Sequence, residues 1–428
     1  MEVSKTMREQ VKLLYHSEEI KKAFSFIRED DAHTFEQQME LARIPSYLNG
    51  EKERADYFKK LMEAEGYEAR TDEVGNVYTR IKGTGKGPTV YISAHLDTVF
   101  PQETSLEGKW EGSVINLPGI CDDTRGLAEI LAILRAIKAE GLKPVGDIII
   151  GGNVGEEGLG NLRGMKYFFS QNADEIDGFL SIDGVGPIIC YGATGSHRYE
   201  VTFRGEGGHS YGAFGLVNPI HAMGRAISYI SELRTPRFPK TTFSVGVVEG
   251  GTSVNAIASA CKMLVDIRSD GNDELNDLDE RIQECIKRAV EDENERWSEE
   301  RAYEQEGMNG FNKDARISLS VQQIGERPAG NQERDCEIVS ILSAAFEVLN
   351  VEPDYMSNGS TDANVPISMG IPAACVCGGG KGGKYHSLEE WFDPTDAYLG
   401  VQRNLLALLA MTGVEGICEP CLKIRDRK

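Results

Sequence analysis

Hydrophobic and polar positions follow one pattern in residues 1–194 and again in residues 328–428. There, continuous apolar runs typical of buried strands alternate with helical patterns. The predicted strands lie at 74–82, 88–94, 147–153, 178–183 and 371–377, and the predicted helices at 33–66, 122–140, 161–170, 334–349, 361–369 and 394–411. Buried strands separated by helices indicate a mostly parallel sheet with helices on both faces, an α/β domain.

Residues 195–327 follow a different pattern. Polar and apolar residues alternate in 197–204, and further strands are predicted at 241–250, 256–268 and 316–324, with helices at 217–234 and 271–296. This combination is typical of an antiparallel sheet with helices on one face. We therefore expect an inserted α+β domain that interrupts the α/β domain.

Composition narrows the classes of partner. The formal net charge is −22 and the pI is near 4.9, whereas nucleic acids and anionic membranes require clustered cations. Neither is expected as a partner. Residues 1–20 lack the apolar core of a secretory signal, and nine scattered cysteines suit a reducing compartment, so a cytoplasmic location is expected. The single C-x-x-C pair, Cys418 and Cys421, is predicted to lie in an exposed tail.

Polar side chains follow the predicted strands where each strand ends, which is where open α/β sheets place their chemistry. These residues are His95, Asp97, Glu156, Glu157, Asp183 and His386, and the pair Asp122 and Asp123 begins the helix at 122–140. Each has an ordinary explanation when taken alone, as a turn, a helix cap or a solvated loop. Together they supply the imidazole and carboxylate ligands that zinc and similar divalent metals take.

Two acidic pairs strengthen this interpretation. One aspartate caps a helix, so either Asp122 or Asp123 needs another explanation. Glu156 and Glu157 are adjacent like charges between glycines, and unless solvated they need a proton or a cation between them.

The motifs occur in one order along the chain: His95-Leu96-Asp97, Asp122-Asp123, Glu156-Glu157-Gly158, Asp183, Gly207-Gly208-His209-Ser210 and His386-Ser387. This run resembles the dinuclear-zinc exopeptidase superfamily, which includes peptidase T, glutamate carboxypeptidase, carnosinase and aminoacylase-1. The likeness covers about residues 35–412 and is closest to the peptidase T-like di- and tripeptidases.

The resemblance implies a catalytic zinc-binding domain (1–194 and 328–428) and a lid domain (195–327) that pairs two subunits into a homodimer. It implies two zinc ions, with cobalt or manganese as alternatives. His95 and Asp183 would bind one ion, Glu157 and His386 the other, and Asp122 both. Glu156 would be the general base, Asp97 would orient His95, His209 would stabilise the oxyanion, and Asn255 and Arg268 would hold the substrate's carboxylate.

The implied activity is an exopeptidase, of the aminopeptidase or tripeptidase kind, that cleaves short peptides with a metal-activated water. Asp183 favours di- and tripeptidases, because acylases and carboxypeptidases of the superfamily more often carry Glu there. Thr124-Arg125-Gly126 departs from the Lys of many relatives, and the first thirty residues and residues 292–313 have no counterpart in the pattern.

Other functions fit parts of the sequence. An N-acyl amino acid deacylase or a carboxypeptidase would use the same ligands. Gly208-His209-Ser210-Tyr211-Gly212 fits G-x-S-x-G, with Asp362 and His386 following, as in a serine hydrolase. Gly378-x4-Gly383-Lys384 resembles a phosphate loop, but Tyr385 replaces the Ser or Thr. A binding protein without catalysis on the same fold is the remaining alternative.

Overall fold

The structure, a computed structural model, describes residues 2–296 and 314–427. The chain forms two compact units, the first made of residues 1–193 and 330–428 and the second of residues 194–329. Among the described residues, no helix has both the length and the apolar character needed to cross a membrane.

The helices are α1 (Glu2–His16), α2 (Glu18–Glu29), α3 (Asp31–Ala42), α4 (Lys52–Ala64), α5 (Thr124–Ala139), α6 (Arg163–Asn172), α7 (Pro219–Ser231), α8 (Asn272–Glu295), α9 (Glu337–Val348), α10 (Asn364–Ser368) and α11 (Tyr398–Thr412). Short 3₁₀ turns lie at Gly158–Gly160 and Ala173–Glu175.

The strands are β1 (Arg70–Thr71), β2 (Val77–Ile81), β3 (Val90–His95), β4 (Lys109–Glu111), β5 (Val114–Asn116), β6 (Ile148–Asn153), β7 (Gly178–Val185), β8 (Ile188–Cys190), β9 (Gly195–Arg204), β10 (Gly208–His209), β11 (Thr241–Gly250), β12 (Ala256–Ile257), β13 (Ala260–Ser269), β14 (Ser318–Arg327), β15 (Asp354–Met356), β16 (Ala373–Gly378), β17 (Lys381–Gly383) and β18 (Trp391–Asp393).

The described part of the first unit is built on a sheet with the strand order β1-β2-β6-β3-β7-β16-β8-β15. The central strands β6, β3, β7 and β16 are parallel to one another, and β1, β2 and β8 add antiparallel pairings at the sides. Parallel strands end at the same edge of a sheet, so the segments that follow β3, β6 and β16 all begin at one edge.

Alternate residues of the central strands face two different helical layers. Ile92 and Ile150 pack in the cluster that contains α5 and α11. On the other face, Tyr91 packs against Phe168 of α6, and Phe179 packs against Phe169 of the same helix. Burial on both faces explains why these strands appear in the sequence as continuous apolar runs. The predicted α/β fold with a mainly parallel sheet is confirmed.

The N-terminal region differs from the prediction. The single helix predicted at 33–66 is wrong, since α3 ends at Ala42 and α4 begins at Lys52. Pro45 lies in the intervening segment and disfavours helix at the residue before it. In addition, α1 and α2 occupy Glu2–His16 and Glu18–Glu29, and their Leu14 and Ile20 are fully buried in the same cluster as α9 and α11.

The prediction of an exposed C-terminal tail is also wrong. Cys418 and Cys421 are only 7% and 9% exposed and belong to the core cluster of the first unit. The chain turns back after α11, and the Cys421 N–H donates to the Ala410 carbonyl. Packing against the helix that precedes it buries the segment.

The described part of the second unit has an antiparallel sheet with the order β11-β13-β9-β14. Helices α7 and α8 pack on it through a core that includes Val201, Met263 and Ile282, as the alternating pattern predicted. Residues 292–313, which have no counterpart in the superfamily pattern, begin within α8, and residues 297–313 lie outside the described part of the chain.

Candidate active site

Five residues predicted as metal ligands meet in the first unit. His95 ends β3, Asp183 lies in β7, Asp122 precedes α5, Glu157 follows β6, and His386 lies in the segment after β17. Because β6, β3, β7 and β16 are parallel neighbours, the topology brings residues that are distant in sequence to one place.

Asp122 is the centre of this group. Its two carboxylate oxygens each contact one imidazole: Oδ1 lies 2.8 Å from His95 Nε2, and Oδ2 lies 2.9 Å from His386 Nε2. His386 Nε2 also lies 2.9 Å from Glu157 Oε1, and His95 Nε2 lies 4.0 Å from Asp183 Oδ1. One carboxylate therefore joins two sets of side chains.

The electrostatics of the group show how crowded its negative charges are. Burial, reinforced by the charge of Asp122, raises the pKa of Glu157 and that of Asp183 to about 7 each. Burial also acts on Asp122, but hydrogen bonds from His386 and His95 outweigh it and hold the pKa of Asp122 below its usual range. Hydrogen bonds to Asp122 and Glu157 raise the pKa of His386 to about 10. The site favours positive charge among its carboxylates.

These residues fit a pair of divalent metals. Among the described residues, the possible ligand atoms of His95, Asp122 and Asp183 lie within 4.8 Å of one another, and so do those of Asp122, Glu157 and His386. Each set combines imidazole nitrogen with carboxylate oxygen, the donors that zinc takes in catalytic sites. Asp122 belongs to both sets, so the two metals would share it.

Asp97 makes contacts that the sequence did not predict. The His95 Nδ1 atom lies 2.9 Å from the main-chain carbonyl of Asp97, but 3.8 Å from its carboxylate. The carboxylate instead accepts the main-chain N–H groups of Glu156 and Glu157, at 3.0 and 2.8 Å. The structure thus assigns the orientation of His95 to a carbonyl, and the buried carboxylate holds the Glu156–Glu157 turn.

The contacts of Asp123 explain why the sequence has two adjacent aspartates here. Its Oδ1 accepts the Gly126 N–H at 3.0 Å and caps α5, and its Oδ2 accepts the His95 N–H at 3.1 Å. The cap is therefore Asp123, which leaves Asp122 for the imidazoles. The doubled aspartate was the signal in the sequence, but only the contacts distinguish the two residues.

Two further residues around the site were missed by sequence reasoning. Glu390 is fully buried, and its carboxylate accepts three main-chain N–H groups between Gly119 and Asp122. Arg54 is 1% exposed and donates to the carbonyls of Ile44 and Leu96. Burial lowers the pKa of Arg54 to about 10 against the opposing charges of Asp97, Asp123 and Glu390. A lone Arg in a helix and a doubled Glu after His386 carry no distinctive sequence signal.

The remaining predicted residues, His209, Asn255 and Arg268, lie in the second unit. His209 Nδ1 accepts the main-chain N–H groups of Tyr211 and Gly212, at 3.2 and 3.3 Å. Those two bonds make Nδ1 the acceptor of the ring and leave the proton of a neutral imidazole on Nε2.

The other two predicted substrate-binding residues are tied to neighbours in their own unit. The Asn255 side chain accepts a hydrogen bond from Ser253 Oγ. Arg268 Nε donates to Asp266 Oδ2 at 2.8 Å.

The two competing motifs lack their required local structure. A nucleophile elbow needs a strand that leads into the serine and a helix directly after it, but β10 has two residues and α7 begins only at Pro219. A phosphate loop needs a helix after Lys384, but the segment continues through β18, and the next helix starts at Tyr398.

Comparison with known proteins identifies the families to which the two units are similar. Residues 191–294 match the family described as a peptidase dimerisation domain, and residues 76–189 match peptidase family M28. The chain is 25% identical over 361 residues to the uncharacterized protein YqjE of Bacillus subtilis (strain 168), which covers 80% of this chain and 89% of that protein.

Two other relatives extend the picture. Succinyl-diaminopimelate desuccinylase of Alkalilimnicola ehrlichii is 26% identical over 250 residues, which is 53% of this chain and 64% of that protein. A tripeptidase of Staphylococcus aureus has a similar structure, with a TM-score of 0.71 and 20% identity over 88% of this chain and 97% of the other. At that identity the likeness shows the shared fold. These matches show that the chain is a hydrolase of the dinuclear-zinc exopeptidase superfamily, in which it is similar to the M20 peptidases and deacylases.

Proposed function

We propose that the protein is an exopeptidase that cleaves short peptides, in the manner of an aminopeptidase or tripeptidase, with two zinc ions bound. The observation that carries this proposal is the pair of ligand sets that share Asp122. His95 and Asp183 would hold one ion, and Glu157 and His386 the other. Two such ions, when bound, acidify a water molecule and polarise the scissile carbonyl.

Glu156 is the proposed general base. It is buried at 5% exposure beside Glu157, and its main-chain N–H is held by the Asp97 carboxylate. A carboxylate held in this way can remove a proton from the attacking water and deliver it to the leaving amine. Its neighbour Glu157 contacts His386 and would be a metal ligand instead of the base.

The residues of the second unit have proposed roles that come from the family resemblance. His209 would donate from Nε2 to the developing oxyanion, and the accepting role of its Nδ1 supports that choice of tautomer. Asn255 and Arg268 would bind the substrate's carboxylate, for which a planar guanidinium is well suited. The match of residues 191–294 to a dimerisation domain supports a homodimer.

A deacylase that acts on N-acyl amino acids is the second candidate. The desuccinylase relative favours it, because its name describes the removal of an acyl group. The same ligands and the same base would hydrolyse either amide bond, so the choice depends on which end of the substrate is recognised.

Variants of the two adjacent glutamates test the mechanism. Glu156→Ala should keep both metals and lose roughly 10²- to 10⁴-fold in turnover, the usual contribution of a general base. Glu157→Ala, the matched control, should lose metal as well, which elemental analysis of the purified proteins would show. Unchanged turnover in Glu156→Ala would exclude it as the base.

A substrate panel separates the two activities. Zinc, cobalt and manganese forms should be assayed on dipeptides, tripeptides and N-acyl amino acids. Hydrolysis of the peptides is expected, and hydrolysis of N-acyl amino acids alone would establish the deacylase instead.

Sedimentation velocity tests the proposed homodimer. A species of twice the chain mass is expected. Mixing His209→Ala with Glu156→Ala should then restore part of the activity if His209 serves the partner's reaction, and no recovery in verified mixed dimers would exclude that role.

A further inference from the structure

Glu390 is a buried acid that faces main-chain donors. Its Oε1 accepts the N–H groups of Cys121 and Asp122, at 2.8 and 3.1 Å, and its Oε2 accepts that of Gly119 at 2.9 Å. The side chain is fully buried. One carboxylate therefore satisfies three N–H groups in the four residues that lead to Asp122.

Main-chain hydrogen bonds also join the residues before Gly119 to Glu390 and its neighbours. The Leu117 N–H donates to the Glu390 carbonyl at 2.9 Å, and β5 pairs with β18 through Asn116 and Trp391. Gly119 adopts a φ of +79°, which turns the segment so that its N–H groups converge.

These hydrogen bonds restrict the main chain of Asp122, whose side chain must keep one orientation. Its two oxygens contact two different imidazoles, at 2.8 and 2.9 Å, so a small rotation of its main chain would break at least one of the contacts. His386 lies only four residues before Glu390. The segment that supplies one imidazole thus also fixes the carboxylate that this imidazole contacts.

We propose that Glu390 is a positioning residue for the metal centre, and that it sets the direction of the Asp122 side chain by holding the three N–H groups of the Gly119–Asp122 segment. The proposal rests on the proposed function, because it concerns the affinity for metals that Asp122 would share. Glu390 is absent from the sets of possible metal ligands among the described residues. Its oxygens already accept N–H donors, so its effect on a metal would pass through Asp122.

The adjacent Glu389 provides a matched control. It is exposed and forms an ion pair with Lys384, so it shares the residue type and the segment but not the contacts. Glu390→Gln keeps the shape of the side chain but turns an amide NH₂ towards at least one N–H group. Glu390→Asp keeps the charge but is one methylene shorter and cannot reach all three donors at once.

The test is a titration of the metal-free proteins with Zn²⁺ in competition with a chromophoric chelator. Glu390→Gln should bind zinc about 10- to 100-fold more weakly than the wild type, the usual effect of altering a group that orients a ligand. The zinc affinity of Glu390→Asp should lie between those of Glu390→Gln and the wild type. The zinc affinity of Glu389→Gln should equal that of the wild type. In peptide hydrolysis at saturating zinc, Glu390→Gln should lower kcat with little change in KM.

The outcomes separate this proposal from the proposed function. A wild type that binds no zinc pair would overturn the proposed function. A wild type that binds zinc, with Glu390→Gln and Glu389→Gln alike in affinity, would overturn the role of Glu390. A Glu390→Gln variant that unfolds at lower temperature but binds zinc normally would show a purely structural role and would also overturn it. If Glu390→Gln does not fold, the zinc affinity of Glu390→Asp is compared with that of Glu389→Gln instead, and equal affinities would overturn the role of Glu390.

Discussion

Two layers of carboxylates lie next to each other in the first unit and have different partners. Asp122, Glu157 and Asp183 form the ligand layer, with their oxygens near imidazole nitrogens. Asp97, Asp123 and Glu390 form the support layer, with their oxygens on main-chain N–H groups. Both layers consist of the same two residue types, so the donor that each oxygen meets decides its role.

The layers also differ in how their charge is balanced. The support layer has a buried cation close by, since the charges of Asp97, Asp123 and Glu390 all act on Arg54. In the ligand layer the imidazoles are the positive partners. Burial raises the pKa of acids in both layers, to about 7 for Glu157, Asp183 and Glu390 alike. The pKa therefore does not separate the two layers, whereas the donor that each carboxylate oxygen contacts does.

Replacing each of the two adjacent aspartates by asparagine, in separate variants, tests this distinction most strongly. Asp122→Asn removes the shared carboxylate and should weaken zinc binding well beyond the roughly 10- to 100-fold cost of altering an orienting group. Asp123→Asn should stay within that range but lower the free energy of unfolding by about 1–3 kcal/mol, because a buried N–H loses its acceptor. Zinc titration and urea unfolding of both variants measure the two effects. Equal zinc affinities would remove the distinction between the layers.

Arg54→Met tests the charge balance of the support layer. Removing the guanidinium leaves the carbonyls of Ile44 and Leu96 without their donor and should cost about 3–5 kcal/mol, as when one member of a buried charged group is removed. Urea unfolding of the metal-free protein measures the loss. Lys52→Met in the same helix is the control, because Lys52 is exposed and its ion pair with Asp56 is worth about 0–1 kcal/mol. Similar losses in both variants would contradict a special role for Arg54.

Asp97→Asn tests whether the main-chain carbonyl or the carboxylate of Asp97 orients His95. The main-chain carbonyl still faces His95, so zinc binding by His95 and Asp183 should change little. The amide can no longer accept both N–H groups of Glu156 and Glu157, so turnover should fall by about 10- to 100-fold. A selective loss of zinc from the site of His95 would instead show that the carboxylate orients the imidazole.

Asp147→Asn should have the smallest effect. Asp147 precedes β6, at the end of the strand opposite to Glu156, and bonds to Arg80, Lys82 and the Gly83 N–H. Burial opposes its ionisation, but these bonds outweigh it and lower the pKa of Asp147. An acid with a lowered pKa in the fold stabilises above its unfolded pKa, near 4, and loses that contribution as the pH falls through the folded value.

The expected difference between the wild type and Asp147→Asn is at most about 1 kcal/mol at pH 7, since the partners are largely exposed. The difference should shrink as the pH falls below the unfolded pKa and through the lowered folded pKa. Urea unfolding at pH 7, 5 and 3 measures it, and a difference that grows as the pH falls would contradict the assigned sign.

Much of the fold could be predicted from local patterns. Continuous apolar runs identified the central strands, and alternation identified the antiparallel sheet of the second unit, because burial on two faces or one face sets the period of hydrophobicity. The two predictions that failed did so for different reasons. The single helix at 33–66 overlooked Pro45, a local signal in the segment between α3 and α4. The burial of Cys418 and Cys421 depends on packing against distant segments.

The sequence by itself determined the kinds of chemistry available: two histidines and a set of acids, placed at strand ends in an order that resembles one superfamily. The tertiary structure alone decided which acids face imidazoles and which face main-chain N–H groups. It separated Asp122 from Asp123 and Glu390 from Glu389, residues that are adjacent and of the same type. The physical reason is that a carboxylate has no fixed role of its own. The groups that the fold places beside its oxygens determine whether it is scaffold or ligand.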